Sequence, residues 1–387
     1  MKIGIDARWI FEEISGIGAY TVELLRGLSR EDAANDYVLF FHDAALRDRT
    51  LRELGLEGHP RFVPTLLPYG IFSVAGQLRM PLALRRAGLD VFHSTNYMIP
   101  LLAFPRSRAG RIKCAVTVHD VIPLMFREQV RRSRKNRLFF LYARLMREVG
   151  TRAHAVITDS RASRADVIRH LGIPPAREAD VRAVYCGVSP RFEPGTRSGA
   201  LPKTLLYVGR ADPYKNVTAL VEAFALVRQR CPLPVRLRIA GPRDDRYPEA
   251  PQRAEALGVA DAVTWTGYLP AADLVKAYQE ADVLVHPSLY EGFGLPVLEA
   301  MACGTPVVCS DIGALREVAG HAAVFVAPAD APAMAREIVR LLTDASAAAE
   351  LTRRGLRQAS RFTWETTARE TLRIYSEIRG PEAGGGP

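Results

Sequence analysis

Short apolar runs alternate with helical segments from one end of this chain to the other, and few folds accommodate that rhythm. In the first half, residues 2–5, 37–41, 91–93, 113–119 and 155–158 read as strands, and residues 19–29, 81–87, 133–153 and 161–170 as helices. In the second half the strands are residues 204–208, 235–240, 263–266, 283–286 and 307–309, with helices starting near Val217, Tyr247, Ala271, Pro296 and Gly313. Strands that are apolar throughout, each followed by a helix, belong in parallel sheets with helices on both faces. A border is expected at residues 189–203, where Pro, Gly and Ser accumulate and periodicity fades. At 387 residues the chain is long enough for two domains with full cores. The expectation is an α/β protein with parallel-sheet domains over residues 1–190 and 200–362. A helix over about residues 363–379 follows, then a Gly- and Pro-rich tail, residues 380–387, expected to be disordered.

The stretch with most chemical content is residues 281–304. Ala281-Asp282-Val283-Leu284-Val285-His286-Pro287-Ser288 reads as a short buried strand ended by a proline. In Glu291-Gly292-Phe293-Gly294-Leu295-Pro296-Val297-Leu298-Glu299 a glycine loop then leads into a helix. Pro296 suits the first helical turn, where a missing N–H costs nothing, and Gly304 stops the helix after about Cys303. Backbone N–H groups converge at such a helix start and favour an anion. The carboxylates of Glu291 and Glu299 would repel that anion, so they are expected to face hydroxyl groups. A sugar beside one and a ribose beside the other meet both demands, which points to a sugar nucleotide.

Strand 204–208 ends in Gly209-Arg210-Ala211-Asp212-Pro213-Tyr214-Lys215-Asn216, with Asn216 placed to cap the next helix. Arg210 and Lys215 then lie at the carboxyl end of a parallel strand, where α/β sheets bind ligands. Arg offers a bidentate fork, and Lys a compact charge, to a diphosphate that gains negative charge as a glycosidic bond breaks. Together they could replace a divalent metal; the alternative is a pair of surface cations. His119, at the end of strand 113–119, could reach a ligand or serve structure alone, and Asp120 could orient it or cap the turn. Gly16-Ile17-Gly18 sits ahead of helix 19–29, where two glycines let the backbone approach a ligand or simply turn. Ser15 and Tyr20 are further candidates beside that loop.

Five cysteines, at 114, 186, 231, 303 and 309, follow no metal or disulfide spacing and fit a reducing compartment. No apolar run approaches the roughly 20 residues that span a bilayer. Met1-Lys2-Ile3 begins directly as a strand, so a cytoplasmic location is expected. The net charge of +10 suits nucleic acid, an anionic membrane or a phosphorylated substrate. Basic residues gather in residues 127–147, where Arg131, Arg132, Arg134, Lys135, Arg137 and Arg144 adjoin Leu138, Phe139, Phe140, Leu141 and Tyr142. No nucleic-acid-binding motif accompanies them. The expected partner is therefore an anionic membrane surface, contacted peripherally; the alternative is a solvated helix face.

The Glu-x7-Glu segment, Arg210 with Lys215, the Gly16–Gly18 loop and Val118-His119-Asp120 together resemble the retaining glycosyltransferases of family 4, which have the GT-B fold. The likeness runs from Gly16 to near residue 375. It implies two Rossmann-like domains facing across a cleft, with the last helix crossing back onto the first. It assigns His119 and Glu291 to the donor sugar, Glu291 stabilising positive charge at the anomeric carbon, and Glu299 to the ribose. Gly209, Arg210 and Lys215, with the backbone of Gly292, Phe293, Gly294 and Leu295 through Val297, would hold the diphosphate, with Gly16 and Gly18 near it. No metal and no organic cofactor is implied. Ile5-Asp6-Ala7-Arg8, the Gly-Ile-Gly-Ala-Tyr loop and Phe92-His93-Ser94-Thr95-Asn96-Tyr97 look like bacterial mannosyl- and rhamnosyltransferases of surface polysaccharides. That narrower likeness implies GDP-mannose as donor and a lipid-linked glycan as acceptor. The rival readings are a transferase using GDP-rhamnose or UDP-glucose, a nucleotide-sugar epimerase or phosphorylase on the same scaffold, and a binding subunit without turnover. A dinucleotide-dependent dehydrogenase is disfavoured, because no Gly-x-Gly-x-x-Gly follows the first strand.

Overall fold

The computed structural model describes residues 1–12, 16–126, 139–195, 199–242 and 244–380. The chain divides into two compact units, one of Met1–Leu124, Leu138–Gly187 and Thr363–Pro387, the other of Met125–Arg137 and Val188–Phe362. Among the described residues the first unit holds a seven-stranded sheet: β1 Lys2–Asp6, β2 Asp36–Phe41, β3 Phe62–Leu66, β4 Val91–Ser94, β5 Lys113–Thr117, β6 Ala155–Thr158 and β7 Val181–Ala183. The second holds six strands: β8 Lys203–Val208, β9 Val235–Ala240, β10 Val263–Gly267, β11 Val283–His286, β12 Val307–Ser310 and β13 Val324–Val326. The orders are β3-β2-β1-β4-β5-β6-β7 and β10-β9-β8-β11-β12-β13. Both sheets are parallel throughout. Counted from its own first strand, each sheet follows one scheme, and the first adds a strand at its far edge. The direction in which successive strands are added across the sheet reverses between β1 and β4, and again between β8 and β11. Such reversals leave a ligand crevice at the carboxyl ends of the two strands. Each unit is thus a doubly wound, Rossmann-like α/β layer structure, the class read from the sequence.

Leu205, Leu206 and Tyr207 of β8, Val283 to Val285 of β11, and Val307 and Val308 of β12 are fully buried. A strand covered on both faces needs that unbroken apolar run. Helix Val217–Arg230 lays Leu220, Val221, Phe224 and Val227 on the same core, at the spacing of one helical face. Each such side chain stabilises the fold by about 1.5–3 kcal/mol. In the first unit, helix Gly16–Glu31 packs on the last helix, Trp364–Arg379. Gly27 makes that approach close: a Cβ there would come within 2.6 Å of the Trp364 carbonyl oxygen.

Several elements depart from the sequence reading. The unread strands β3, β7 and β13 all lie at sheet edges. β3 contains Pro64, which an edge tolerates, and β7 and β13 have three residues each, too few to show a period. Helices Ala44–Leu54, Ala331–Thr343 and Ala345–Ala359 were likewise unread. The helix expected at 81–87 begins at Val74, because Ser73 accepts a hydrogen bond from the Gly76 N–H and caps it; Pro81 lies inside. Gly16 and Gly18, expected in a loop, form the first turn of helix Gly16–Glu31. First-turn N–H groups have no intrahelical partner, which relaxes the demand on side-chain type. Strand 113–119 stops at Thr117. Ser15, residues 127–138 of the basic segment and residues 381–387 of the tail lie outside the described residues.

Candidate functional site

The loops after β8 and β11, on either side of the reversal in the second sheet, carry most of the expected residues. After β8 the chain turns through Gly209 at φ 145°, whose N–H bonds the Ala240 carbonyl at 2.8 Å. The 3-10 turn Pro213–Lys215 then presents Lys215. Asn216 follows with φ 58° and makes no side-chain cap, contrary to expectation. Its Nδ2 instead donates to the carbonyls of Pro287, at 3.2 Å, and Pro328, at 2.8 Å. Asn tolerates this left-handed backbone better than most residues, and the bonds tie the two loops together.

Lys215 Nζ donates to both carboxylate oxygens of Glu291, at 2.8 and 2.9 Å. Oε1 also accepts from Ser288 Oγ at 2.7 Å and lies 2.7 Å from His286 Nε2. Oε2 accepts from Lys215 alone among the described residues. Burial opposes charge on Glu291, but Lys215 and then His286 outweigh it and hold the carboxyl well below the usual carboxylate range. His286 is wholly buried and its ring stacks on Tyr207. Its Nδ1 has no partner among the described residues, so the proton belongs on Nε2, facing Glu291.

Arg210 does not join Lys215. Its half-exposed guanidinium bonds Asp212 at 2.8 Å and Asp244 at 3.3 Å. The two cations, expected as one pair, thus have separate carboxylate partners. Glu299 lies in helix Leu295–Ala302, and its Oε2 accepts from the Tyr278 hydroxyl at 2.7 Å. Burial pushes the Glu299 carboxyl up to about 7, against the opposing pull of Tyr278. Gly292, Phe293 and Gly294 are buried ahead of that helix. Gly294 takes φ 107°, and a Cβ there would come 2.4 Å from Leu315 Cδ2, so only glycine fits. Of the N–H groups expected to be available from Phe293 to Val297, Pro296 has none and that of Val297 bonds the Gly294 carbonyl at 3.0 Å. Those of Gly294 and Leu295 meet no acceptor among the described residues.

In the first unit, His119 follows β5 with both ring nitrogens engaged. Nδ1 lies 2.7 Å from Asp159 Oδ2 and Nε2 lies 3.0 Å from the Thr95 carbonyl. Burial would lower its pKa, but Asp159 outweighs burial and raises it. Asp120 is not the orienting group: its Oδ1 accepts from the Ile122 N–H at 3.0 Å and closes the turn. Tyr20 packs edge-on to His119 at 4.7 Å and bonds Thr117 Oγ1 at 3.1 Å. Gly18 is buried and Gly16 exposed, and a Cβ built on Gly16 would meet no described atom within 4 Å. At the β1 end, Arg8 and Asp6 form a buried ion pair at 2.7 Å.

The family described as Glycosyltransferase Family 4 matches residues 14–192, and that described as Glycosyl transferases group 1 matches residues 193–358. The O-antigen chain mannosyltransferase B of Escherichia coli is 30% identical, over 97% of this chain and 99% of its own. The chain belongs to the family 4 glycosyltransferases. The enzyme is also 30% identical to the MMP alpha-(1->4)-mannosyltransferase of Mycolicibacterium hassiacum, over 76% of this chain and 72% of that one. Two solved structures share its fold. Sucrose-phosphate synthase from Thermosynechococcus elongatus superposes with a TM-score of 0.76 at 22% identity, over 97% of this chain and 98% of that one. Anabaena HepE, in complex with UDP and glucose, gives 0.74 at 20% identity, over 97% of this chain and 100% of that one. Within the glycosyltransferase, sequence reasoning passed over His286, Ser288, Tyr278 and Asp159. His286 and Ser288 had a signal, since both precede Glu291 at the end of the same strand. Asp159 and Tyr278 had none, because each meets its partner only through the order of strands and helices.

Proposed function

We propose that this glycosyltransferase moves mannose from GDP-mannose, with retention at the anomeric carbon, to a hydroxyl of a lipid-linked glycan. The observation that carries the donor half is the Lys215–Glu291 pair at the β8/β11 reversal, close in sequence to the N–H groups of Gly294 and Leu295, which meet no acceptor among the described residues. Lys215 has three N–H donors and spends two on Glu291, which leaves one for a phosphate oxygen. The Gly294 and Leu295 N–H groups add the positive end of a helix. Arg210 exchanges Asp212 and Asp244 for the diphosphate, whose charge grows as the C1–O bond breaks. These groups supply the charge that a divalent cation supplies in other transferases. Glu291 Oε2 accepts from a hydroxyl of the donor sugar while Oε1 stays anchored on His286 and Ser288. Glu299 accepts from the ribose diol. His119 has both ring nitrogens committed, to Asp159 and to the Thr95 carbonyl, and acts as a fixed group rather than a mobile donor. The acceptor oxygen bonds C1 on the face the phosphate leaves, and its proton passes to that phosphate oxygen, so no protein nucleophile takes part.

The two mannosyltransferase relatives support mannose, and the E. coli relative supports a surface polysaccharide as product. On that reading the enzyme works at the inner face of the membrane. The test is a radiolabelled transfer assay with GDP-, UDP- and dTDP-sugars on membrane lipid extracts, with the product anomer read by NMR. Label should enter lipid from GDP-mannose, with chelator present, and retain its α configuration. Transfer from a UDP-sugar alone, or sugar-nucleotide conversion without an acceptor, would overturn the reading.

A further inference from the structure

His93 is wholly buried in β4 and has no place in the chemistry described above. Its Nδ1 lies 2.6 Å from the Tyr375 hydroxyl on the last helix, Trp364–Arg379. Its Nε2 lies 2.8 Å from Thr117 Oγ1 at the end of β5. Burial pushes the ring pKa down to about 3, so the imidazole is neutral, with one N–H and one lone pair. Tyr375 is also wholly buried, and its hydroxyl meets only His93 among the described residues. A buried O–H donates where an acceptor is in reach, which makes Nδ1 the acceptor and leaves the Nε2–H to donate to Thr117. Thr117 Oγ1 in turn shares a hydrogen bond of 3.1 Å with the Tyr20 hydroxyl. The series Tyr375, His93, Thr117, Tyr20 thus runs from the last helix through two neighbouring strands to helix Gly16–Glu31.

Tyr20 is where this series meets the candidate site. Its ring packs edge-on to His119, at 4.7 Å, and to Trp364, at 5.7 Å. The last helix therefore holds Tyr20 twice, at the ring through Trp364 and at the hydroxyl through Tyr375 and His93. That helix is itself closely seated. A Cβ on Gly187 would come within 2.2 Å of the Trp364 nitrogen. Thr367 Oγ1 donates to the Tyr185 carbonyl at 2.7 Å, and Ile374 packs with Ala155, Ile157 and Val184. His93 bears on His119 by a second route, because Thr95, two residues on, offers its carbonyl to His119 Nε2 at 3.0 Å. A connected buried network rigidifies what it touches, and truncating one member leaves its neighbours unsatisfied.

We infer that Tyr375 and His93 are positioning residues, which fix the His119 ring for the donor sugar through Thr117 and Tyr20. The last helix then serves the site as well as the packing of the first unit. This rests on the assignment of His119 to the donor sugar.

The test combines kinetics with NMR of isotope-labelled histidine ring nitrogens in the full-length protein. Tyr375→Phe keeps the ring and removes the hydroxyl; Thr117→Val keeps the shape, and Thr117→Ser keeps the hydroxyl. Thermal melts establish that each variant is folded at the assay temperature. With the sugar nucleotide that wild type transfers, kcat should fall on the order of tenfold in Tyr375→Phe and Thr117→Val. Nucleotide affinity should hold, and Thr117→Ser should stay near wild type. The His119 ring signals should shift in Tyr375→Phe, although Tyr375 has no hydrogen bond or ring contact with His119 among the described residues. An unchanged kcat, unmoved His119 signals, equal losses in Thr117→Val and Thr117→Ser, or nucleotide affinity lost in step with kcat would overturn the inference. The NMR arm needs no substrate, so a wrong donor shows separately, as absent wild-type transfer from GDP-mannose with the His119 shift intact.

Discussion

Glu299 joins the charge of the site to the stability of the fold. Burial pushes its carboxyl up to about 7, from the 4.5 of an exposed glutamate, so the folded protein keeps a proton that the unfolded chain has lost. Between those two values the native state binds more protons than the unfolded state, and stability falls as pH rises. Below the window both states are protonated, above it both are ionised, and the slope vanishes. Glu299→Gln should therefore melt with no such slope, gaining on wild type as pH rises to about 7. Parallel melting curves from pH 5 to 7 would show that Glu299 titrates as an exposed residue does. A ribose diol favours the ionised carboxylate as its acceptor, so donor affinity should rise up to about pH 7 and then level. Glu291, Lys215 and Glu299 are legible in the sequence because each sits in a strand–loop–helix register. Their partners are less so: Asp159 meets His119 only because β6 lies beside β5.

The helix Leu295–Ala302 works as an element because its entry is held in one conformation. Gly294 has positive φ and faces Leu315 at a distance no Cβ permits. Gly294→Ala should cost about 1–3 kcal/mol, read as a shift in denaturant midpoint, and should weaken nucleotide binding by displacing the helix start. A variant as stable as wild type would show that the loop relaxes freely. The same device ties the ends of β8 and β9: Gly241 has φ 153°, and a Cβ there would come 2.0 Å from the Gly209 carbonyl oxygen. Elements with a full apolar period or a flanking Gly or Pro signal are readable from sequence, as β8, β11 and helix Leu295–Ala302 are. β3 is interrupted by Pro64, and β7 and β13 have three residues each, which is why these edge strands leave no readable period. Helix Val74–Ala87 misleads because Pro81 reads as a start although Ser73 provides the cap.

At the scale of the molecule, one strand order used twice produces two reversals, each with polar groups at its carboxyl end. The second bears Lys215 and Glu291; the first bears Asp6, Arg8 and Thr95, with Thr95 Oγ1 donating to the Asp6 carbonyl at 3.1 Å. The alternation of apolar runs and helices announces this class of fold, since parallel strands need a helical crossover and crossovers are right-handed. Strand order is harder to read, because it depends on which faces pack once all the crossovers are made. Charge pairing is harder still: Arg210 and Lys215 stand five residues apart, yet each takes its own carboxylate. The purpose proposed for both is a diphosphate grip, and calorimetric titration of GDP tests it most directly. Arg210→Ala/Lys215→Ala, in a form that still melts cooperatively, should bind GDP on the order of a hundredfold more weakly than wild type. Equal affinity in the two proteins would contradict a donor held at the β8/β11 reversal.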